Sequence, residues 1–420
     1  MKKLLLAAAA LFLMGHGMVA QDEGHFRKIV SELSSSEFQG RGYARDGVIK
    51  AGEFIADEYR KAGADQVTMQ PFSIDINTFP GKMKMSVDGR RLEPGTGFTV
   101  REYSPGFHGR AGLYYIDTLS YDSVRIFTDL QKPENAGCFV VCDFWFTYRH
   151  KTDFRKMESD GELLNAGMIY VWDTPLKFYK AYGEKVVDKP IIWASSDFPK
   201  DAGTVNIKID NEFRPGYECN NVIARVDGEC HDSCIVFIAH YDHLGNMGRK
   251  LFFPGANDNA SGTAALVTLA EYYAEHRPQY DTYFVSLAGE EANLRGSNFF
   301  VEHPAMPLGS IRYLFNLDMI GDDNPVQYCE VSESGMRGFE KMKELNSRNG
   351  YFEELHLGEL AANSDHWPFA GKGVPCIMFE NESGSAFPFY HTADDNMKTV
   401  SMATYQPLMQ LIIQYIATLR

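Results

Sequence analysis

The sequence predicts an α/β protein whose mostly parallel central sheet is flanked by helices and interrupted by a β-rich inserted domain. Two observations predict the sheet. Apolar strand-like runs alternate with helical segments in the C-terminal half, and each run is continuously apolar, as expected when both strand faces are covered. A third observation predicts the insert, because short β-like runs separated by turn residues occupy residues 70–205.

The predicted elements place the main domain on both sides of the insert. Its N-terminal part, residues 21–69, holds a helix over 46–64 with apolar residues at helical spacing and Gly63 as its stop signal. Its C-terminal part, residues 206–420, holds the apolar runs CIVFIAH, TYFVSLAG, IRYLFNLD and VPCIMFE. A further helix is predicted over 260–276, between the first two runs.

Residues 1–20 have the pattern of a secretory signal peptide. Lys2 and Lys3 precede an apolar run over 4–14, and small residues end the segment at Ala20. This run is shorter than the roughly 20 residues that a membrane-spanning helix needs, and no later stretch is long and apolar enough to span a bilayer. We therefore expect export to the periplasm or the extracellular space, without stable membrane insertion.

Charge and cysteine content exclude several classes of protein. The net charge of -15 argues against a nucleic-acid-binding protein, since phosphates would repel it. Seven cysteines are too few, and odd in number, for a disulfide scaffold. Cys230 and Cys234 are close enough in sequence to pair in an oxidising compartment, which the sequence leaves open.

Polar residues follow the predicted strands at the points where the strands end. Ligands of an open α/β sheet bind outside the carboxyl ends of its strands, so we expect these side chains to converge although they are far apart in sequence. They are His240, Glu290, Glu291, Asp318 and His391, together with Asp258 in the intervening PGANDNASG segment.

This collection of acids and histidines predicts a metal site. Four carboxylates in one place are costly to bury unless cations compensate them. Two divalent ions balance the charges of Asp258, Glu290, Glu291 and Asp318. Because imidazole nitrogen and carboxylate oxygen are ligands that zinc favours, we expect two zinc ions.

The motifs resemble those of the dinuclear zinc aminopeptidase family, whose superfamily includes bacterial leucyl aminopeptidases and glutamate carboxypeptidase. The matching segments occur in the family's order. They are AHYDHLG, PGANDNASG, GEEANLRGS, NLDMIG, SDHWPF and YHTADD. The resemblance implies a fold of the zinc exopeptidase type, and the insert is similar to a protease-associated domain.

The resemblance also implies a role for each residue. His240 and Asp318 bind one metal, Glu291 and His391 bind the other, and Asp258 bridges them through a segment with a cis peptide at Asp258-Asn259. Glu290 is the general base, which takes a proton from a metal-bridging water and passes it to the leaving amine.

Neighbouring residues receive supporting roles. Asp242 lies two residues beyond His240, so we expect its carboxylate to hold the second ring nitrogen of that histidine. Asp394 is expected to hold His391 likewise, and Asp365 to line the site without binding metal. His243 and His366 are interpreted as pocket or structural residues. Residues expected to shape the substrate pocket are His366, Tyr390, Phe387 and Phe389.

The function expected from these features is that of a secreted metallo-aminopeptidase acting on peptides. A single-zinc glutaminyl cyclase of the same fold is the first alternative, because SDHWPF and FPFYHT resemble cyclase segments. A dipeptidase of the same superfamily and a non-catalytic binding module, as in transferrin receptors, are further alternatives. The preferred N-terminal residue, the oligomeric state and the role of the insert remain open.

Overall fold

The computed structural model describes residues 23–173, 175–180, 183–381 and 387–419. The predicted signal peptide, residues 1–20, lies outside these ranges. None of the helices within them has both the length and the apolar character required to cross a membrane.

Ten α-helices occur in the described residues. In chain order they are α1 (23–33), α2 (Gly47–Lys61), α3 (Ser123–Leu130), α4 (Phe144–Arg149), α5 (Lys151–Ser159), α6 (Gly262–Glu275), α7 (Arg295–Glu302), α8 (Met336–Asn349), α9 (His366–Gly371) and α10 (Tyr405–Ile416). The predicted helices at 46–64 and 260–276 correspond to α2 and α6. Gly63, just beyond α2, has φ +87°, a conformation that glycine adopts without steric cost.

Eighteen strands accompany these helices. In chain order they are β1 (Gln66–Thr78), β2 (Met83–Val87), β3 (Arg90–Leu92), β4 (Phe98–Val100), β5 (Phe107–Tyr115), β6 (Phe139–Asp143), β7 (Gly167–Trp172), β8 (Ile191–Ser195), β9 (Thr204–Ile209), β10 (Glu212–Val226), β11 (Cys230–His240), β12 (Asn246–Met247), β13 (Leu251–Phe252), β14 (Tyr280–Leu287), β15 (Ile311–Leu317), β16 (Val326–Val331), β17 (Glu354–Leu357) and β18 (Cys376–Asn381).

The central sheet has eight strands in the order β1-β10-β14-β11-β15-β18-β16-β17. The four strands β14, β11, β15 and β18 run parallel to one another, and β10 and β16 flank them in antiparallel orientation. His240 pairs in register with Leu287, so β11 and β14 end at the same edge of the sheet. The predicted α/β class with a mostly parallel centre is confirmed.

Burial explains why the parallel strands read as continuous apolar runs. Residues 235–239 of β11 are at most 1% exposed, because helices cover both faces. Phe237 stacks between Phe284 of β14 and Phe315 of β15, with ring centroids 5.4 and 5.1 Å away. The sheet is thus held rigidly where its carboxyl ends carry the polar residues.

The inserted domain begins later than the sequence indicates. The expected boundary between residues 69 and 70 falls inside β1, which pairs antiparallel with β10 from Gln66↔Arg225 to Thr78↔Glu212. This long ribbon belongs to the central sheet. Because both β1 and the insert are β-structured, periodicity in the sequence could not separate them. We place the insert between the two strands of the ribbon.

The insert is a mixed α/β unit rather than a purely β-rich one. Its sheet has the order β3-β2-β9-β5-β6-β7-β8-β4, in which β5 to β8 are parallel. Parallel neighbours need crossover connections, and α3, α4 and α5 lie within them. These helices are only 8, 6 and 9 residues long, too short to show a clear helical period in the sequence.

The thiols of Cys230 and Cys234 are both free.

Candidate metal centre

The five predicted metal ligands come from five separate segments that meet at the carboxyl edge of the central sheet. His240 is the last residue of β11, Asp318 follows β15, and Glu291 lies in the turn after β14. Asp258 lies in the helical turn Ala256–Ser261 that leads into α6, and His391 lies in the loop after β18. None of the five is more than 7% exposed.

Asp258 lies between two groups of ligand atoms. Its Oδ1 is 3.3 Å from Nε2 of His240, which is also 3.4 Å from Oδ1 of Asp318. Its Oδ2 is 3.2 Å from Nε2 of His391, which is also 3.3 Å from Oε2 of Glu291. The two carboxylate oxygens therefore belong to two adjacent positions, each completed by one histidine and one further acid.

These separations fit metal coordination. Nitrogen and oxygen ligands bound at about 2.0–2.2 Å to one tetrahedral zinc ion lie roughly 3.3 Å from each other. The observed separations of 3.2 to 3.4 Å agree with that spacing at both positions. The donor set, imidazole nitrogen with carboxylate oxygen, is one that zinc accepts.

The electrostatics of the cluster also favour a cation. Burial would raise the pKa of Asp258, but the imidazoles of His243, His240 and His391 hold it well below its usual range. Burial would lower the pKa of His391, but Glu291 and Asp258 raise it to about 9. In the metal-free protein the imidazoles thus supply the positive charge that balances the acids.

Glu290 lines a cavity of about 340 Å³, together with four of the ligands, His240, Asp258, Asp318 and His391. Its backbone N–H donates to Oδ1 of Asp242 at 3.1 Å, and its Oε2 lies 4.0 Å from Nε2 of His240. Burial raises the pKa of Glu290 well above its usual value, and the neighbouring acids Glu291, Asp365 and Asp318 raise it further. The two adjacent glutamates therefore occupy different environments, as the sequence predicts.

The expected role of Asp242 requires correction. Nδ1 of His240 lies 3.1 Å from the backbone carbonyl oxygen of Asp242 and 3.8 Å from its carboxylate, so the carbonyl is the hydrogen-bond partner. The carboxylate instead accepts hydrogen bonds from the Tyr43 hydroxyl at 2.6 Å and from the Glu290 N–H. It therefore positions the Glu290 backbone rather than the imidazole, because the chain turns immediately after β11.

The expectation for Asp394 is wrong, and its neighbour Asp395 has a structural role instead. Asp394 is exposed, whereas Asp395 is fully buried. Oδ1 of Asp395 accepts from the Asn257 N–H at 2.8 Å, and its Oδ2 accepts from the Asp258 N–H at 3.0 Å. Asp395 thus fixes the backbone of the segment that carries Asp258, where the peptide bond to Asn259 is cis. No local pattern distinguishes these two adjacent aspartates.

Three neighbours differ from expectation in detail. His243 donates from Nδ1 to Oε1 of Glu291 at 2.7 Å and groups with Asp258 and Glu291 closely enough for metal binding. Asp365 is fully buried, with a pKa raised to about 7 by burial and by the acids Asp242 and Asp318 despite the opposing charge of His240. His366 lies behind the cavity wall, 3.3 Å from Oε2 of Glu330.

The cavity beside Glu290 has a wall that the sequence predicts only in part. Tyr390 lines it as expected, whereas His366, Phe387 and Phe389 do not. Two acids missed by the sequence reasoning, Glu330 and Glu380, line it as well. Both lie on the flanking strands β16 and β18, where an isolated glutamate has no distinguishing pattern.

Arg41 was also missed, although it holds several of these segments together. It is completely buried and donates five hydrogen bonds of 2.6 to 3.1 Å, all to backbone carbonyl oxygens. The acceptors are Leu33, Tyr241, Pro254, Gly255 and Asp258. Arg41 therefore joins the N-terminal part of the main domain to the segments that carry His240 and Asp258.

The fold and the site together define an α/β protein with a candidate metal centre at the carboxyl edge of its sheet. Residues 221–416 match the family model described as Peptidase family M28. This match agrees with the zinc aminopeptidase family that the motifs indicate, and the resemblance stated from the sequence is confirmed.

Relatives agree with this assignment. Aminopeptidase YwaD of Bacillus subtilis is 29% identical over 190 residues, which cover 43% of this chain and 40% of that protein. The chain spans less than half the length of the first curated relatives it matches.

Solved structures show that the fold likeness extends over nearly the whole chain. The structure of a peptidase M28 precursor from Shewanella amazonensis covers 96% of both chains at a TM-score of 0.71 and 17% identity. That of a zinc aminopeptidase from Bacillus subtilis covers 94% of both at a TM-score of 0.69 and 18% identity. At such identities the likeness concerns the fold alone.

Proposed function

We propose that this protein is an exported metallo-aminopeptidase whose site holds two zinc ions. The observation that carries the proposal is that the two carboxylate oxygens of Asp258 face two separate groups of ligand atoms. A single ion would use only one of these groups and would leave buried acids of the other uncompensated. Membership of residues 221–416 in Peptidase family M28 supports a peptidase activity.

His240, Asp258 and Asp318 would hold one ion, and Asp258, Glu291 and His391 the other. When bound, the ions supply Lewis acidity that polarises the scissile carbonyl group and makes a water molecule more acidic. The five ligands His240, Asp258, Glu291, Asp318 and His391 are buried and Glu290 is half-buried, so their charges act in a medium of low dielectric.

Glu290 is proposed to move the proton. Its carboxylate faces the cavity, and its raised pKa makes it a stronger proton acceptor than an exposed glutamate. It accepts a proton from the attacking water and passes it to the leaving amine nitrogen. Asp242 keeps Glu290 in place through the hydrogen bond from the Glu290 backbone N–H.

Metal content and product analysis together test this function. The full-length protein, purified without chelator, is expected to contain about two zinc ions per chain and to release free amino acids from aminoacyl chromogenic substrates. About one zinc ion, with cyclisation of a peptide carrying N-terminal glutamine, would indicate the glutaminyl cyclase alternative. Absence of zinc would indicate a binding module.

Export is a separate part of the proposal, supported by the pattern of residues 1–20. N-terminal sequencing of protein recovered from the periplasm or the medium checks it, with Gln21 as the expected first residue. Recovery of a chain that retains Met1 inside the cell would contradict it.

A further inference from the structure

The two histidines of the metal centre are oriented by different means. A metal-binding histidine usually donates its other ring N–H to a carboxylate, a carbonyl group or water, which fixes the ring. His240 follows this rule through the carbonyl oxygen of Asp242 at 3.1 Å. Nδ1 of His391, in contrast, is buried and has no hydrogen-bond partner among the described residues. Among the described residues, the polar contacts of this ring are therefore those of Nε2 with Asp258 and Glu291, and none fixes it from the Nδ1 side.

Two tyrosine rings contact the imidazole of His391. Tyr390 stacks on it with ring centroids 3.8 Å apart and an interplanar angle of 25°. Tyr179 meets it edge-on, with centroids 4.7 Å apart and an angle of 63°. Both arrangements are favourable for aromatic rings. Tyr390 is the neighbour of His391 in the chain, whereas Tyr179 comes from the insert, in the segment 175–180.

The same insert segment also holds the backbone of His391. The Phe178 N–H donates to the carbonyl oxygen of His391 at 3.1 Å. His391 has φ +57°, a left-handed conformation that residues with a Cβ atom adopt only rarely. An external hydrogen bond that stabilises this conformation therefore also fixes the direction of the side chain.

The segment 175–180 is itself well anchored. Phe178 is 1% exposed and stacks on Phe253 of the main domain with centroids 5.1 Å apart. Lys180, also 1% exposed, donates to the carbonyl oxygen of Asn77 at 3.3 Å. On the insert side, the Tyr179 ring packs against Trp193 of β8 at 5.9 Å. Tyr179 thus connects the sheet of the insert with one ligand of the metal centre.

We propose that Tyr179 is a positioning residue for His391, and that the insert thereby controls the affinity of one of the two metal positions. The position affected is the one formed by Glu291, His391 and Oδ2 of Asp258. None of the contacts described above joins the insert to His240 or Asp318, which form the other position. The inference rests on the proposed two-ion site and assigns a role to the insert within it.

Zinc titration calorimetry of the metal-free, full-length protein tests the proposal. Wild-type protein is expected to show two binding events. In Tyr179→Ala, one event should keep its affinity and the other should weaken roughly tenfold to hundredfold, as for other residues that orient a metal ligand. Tyr179→Phe, which keeps the ring, should match the wild type. Tyr148→Ala removes a tyrosine of the insert that is 57% exposed and should also match it.

The outcomes separate this inference from the function on which it rests. Two unchanged affinities in Tyr179→Ala would overturn the role of Tyr179 and leave the two-ion site intact. Equal weakening of both events would also overturn it, since the effect would then be general. A single event in the wild type would overturn the two-ion site and the inference together. If thermal unfolding shows that Tyr179→Ala does not fold, Tyr179→Leu, which retains apolar volume without the ring, is expected to show the same selective loss.

Discussion

Glu290 and Glu291 show how adjacent identical residues acquire different tasks. Glu291 faces His243 and His391 inside the ligand cluster, and Glu290 faces the cavity. Only Glu290 has its pKa raised, by burial and by the surrounding acids, whereas the pKa of Glu291 is lowered to about 2 because His391 and His243 outweigh its burial. One carboxylate is therefore suited to proton transfer and the other to binding a cation.

Replacing Glu290 by Gln should abolish turnover without removing metal. The amide keeps the size of the side chain but cannot accept the proton, and general acid–base catalysis contributes roughly 100-fold to 10,000-fold to rates. We expect kcat to fall by about that factor while zinc content stays at the wild-type value. Glu302→Gln, at an exposed position at the end of α7, serves as the matched control. A Glu290→Gln protein of normal activity would contradict the proton-transfer role.

The predicted site residues lie in recognisable sequence motifs, whereas the residues that were missed do not. His240, Asp258, Glu290, Glu291, Asp318 and His391 stand at strand ends within motifs, so topology brings them together. Asp395, Arg41 and Tyr179 act through contacts between segments that are distant in sequence. Such contacts exist only after folding, and Asp394 was chosen over Asp395 because no local pattern separates the two.

At the scale of elements, the N-terminal segment that precedes α2 holds the backbone of the segments that carry His240 and Asp258 through Arg41. Arg41 is fully buried, and burial lowers its pKa to about 10, so the guanidinium stays charged at neutral pH. All five of its hydrogen bonds end on backbone carbonyl oxygens, of which that of Gly255 also accepts from the Ala260 N–H.

Replacing Arg41 by Met should therefore destabilise the protein strongly. Leaving several buried carbonyl groups unsatisfied costs about 1–3 kcal/mol for each group, partly relieved by relaxation, so we expect a loss of roughly 3–5 kcal/mol in the free energy of unfolding. Urea unfolding of the metal-free protein measures it. Arg60→Met, on the exposed side of α2, should change it by less than about 0.5 kcal/mol. Equal stability of the two variants would contradict the role of Arg41.

The elements of the central sheet were easier to predict than those of the insert. The long, continuously apolar strands and the 14-residue helix α6 stand out by their length and apolar character, whereas the short helices of the insert do not. The boundary at residue 70 failed for a related reason, since β1 has the same alternating character as the strands that follow it.

At the scale of the whole molecule, stability without metal should depend on pH through the buried histidines. The folded-state pKa of His391 is raised to about 9, above the value of about 6.5 expected in the unfolded chain. Protonated His391 therefore stabilises the fold fully below about pH 6.5, and this contribution is lost as the pH rises toward 9. The raised pKa of Glu290 acts in the same direction.

We accordingly expect the Tm of the metal-free protein to fall between pH 6.5 and pH 9, by scanning calorimetry in the presence of a chelator. With zinc bound, the imidazoles are neutral in the folded state, and the Tm should fall instead when the pH is lowered and protons compete for the ligands. Opposite pH trends of the two forms are the expected signature. Parallel trends would show that the histidines of the centre do not balance its acids.

The ribbon formed by β1 and β10 has a consequence for how this architecture is organised. Thr78 and Glu212 are paired neighbours at its far end, so the chain leaves the main domain for the insert and returns at almost the same point. The insert therefore occupies the place of a hairpin loop between β1 and β10, and its presence or absence need not change the path of the rest of the chain. The two domains are joined at one point of the chain but are not independent in their contacts, because Tyr179 of the insert packs against a histidine of the main domain.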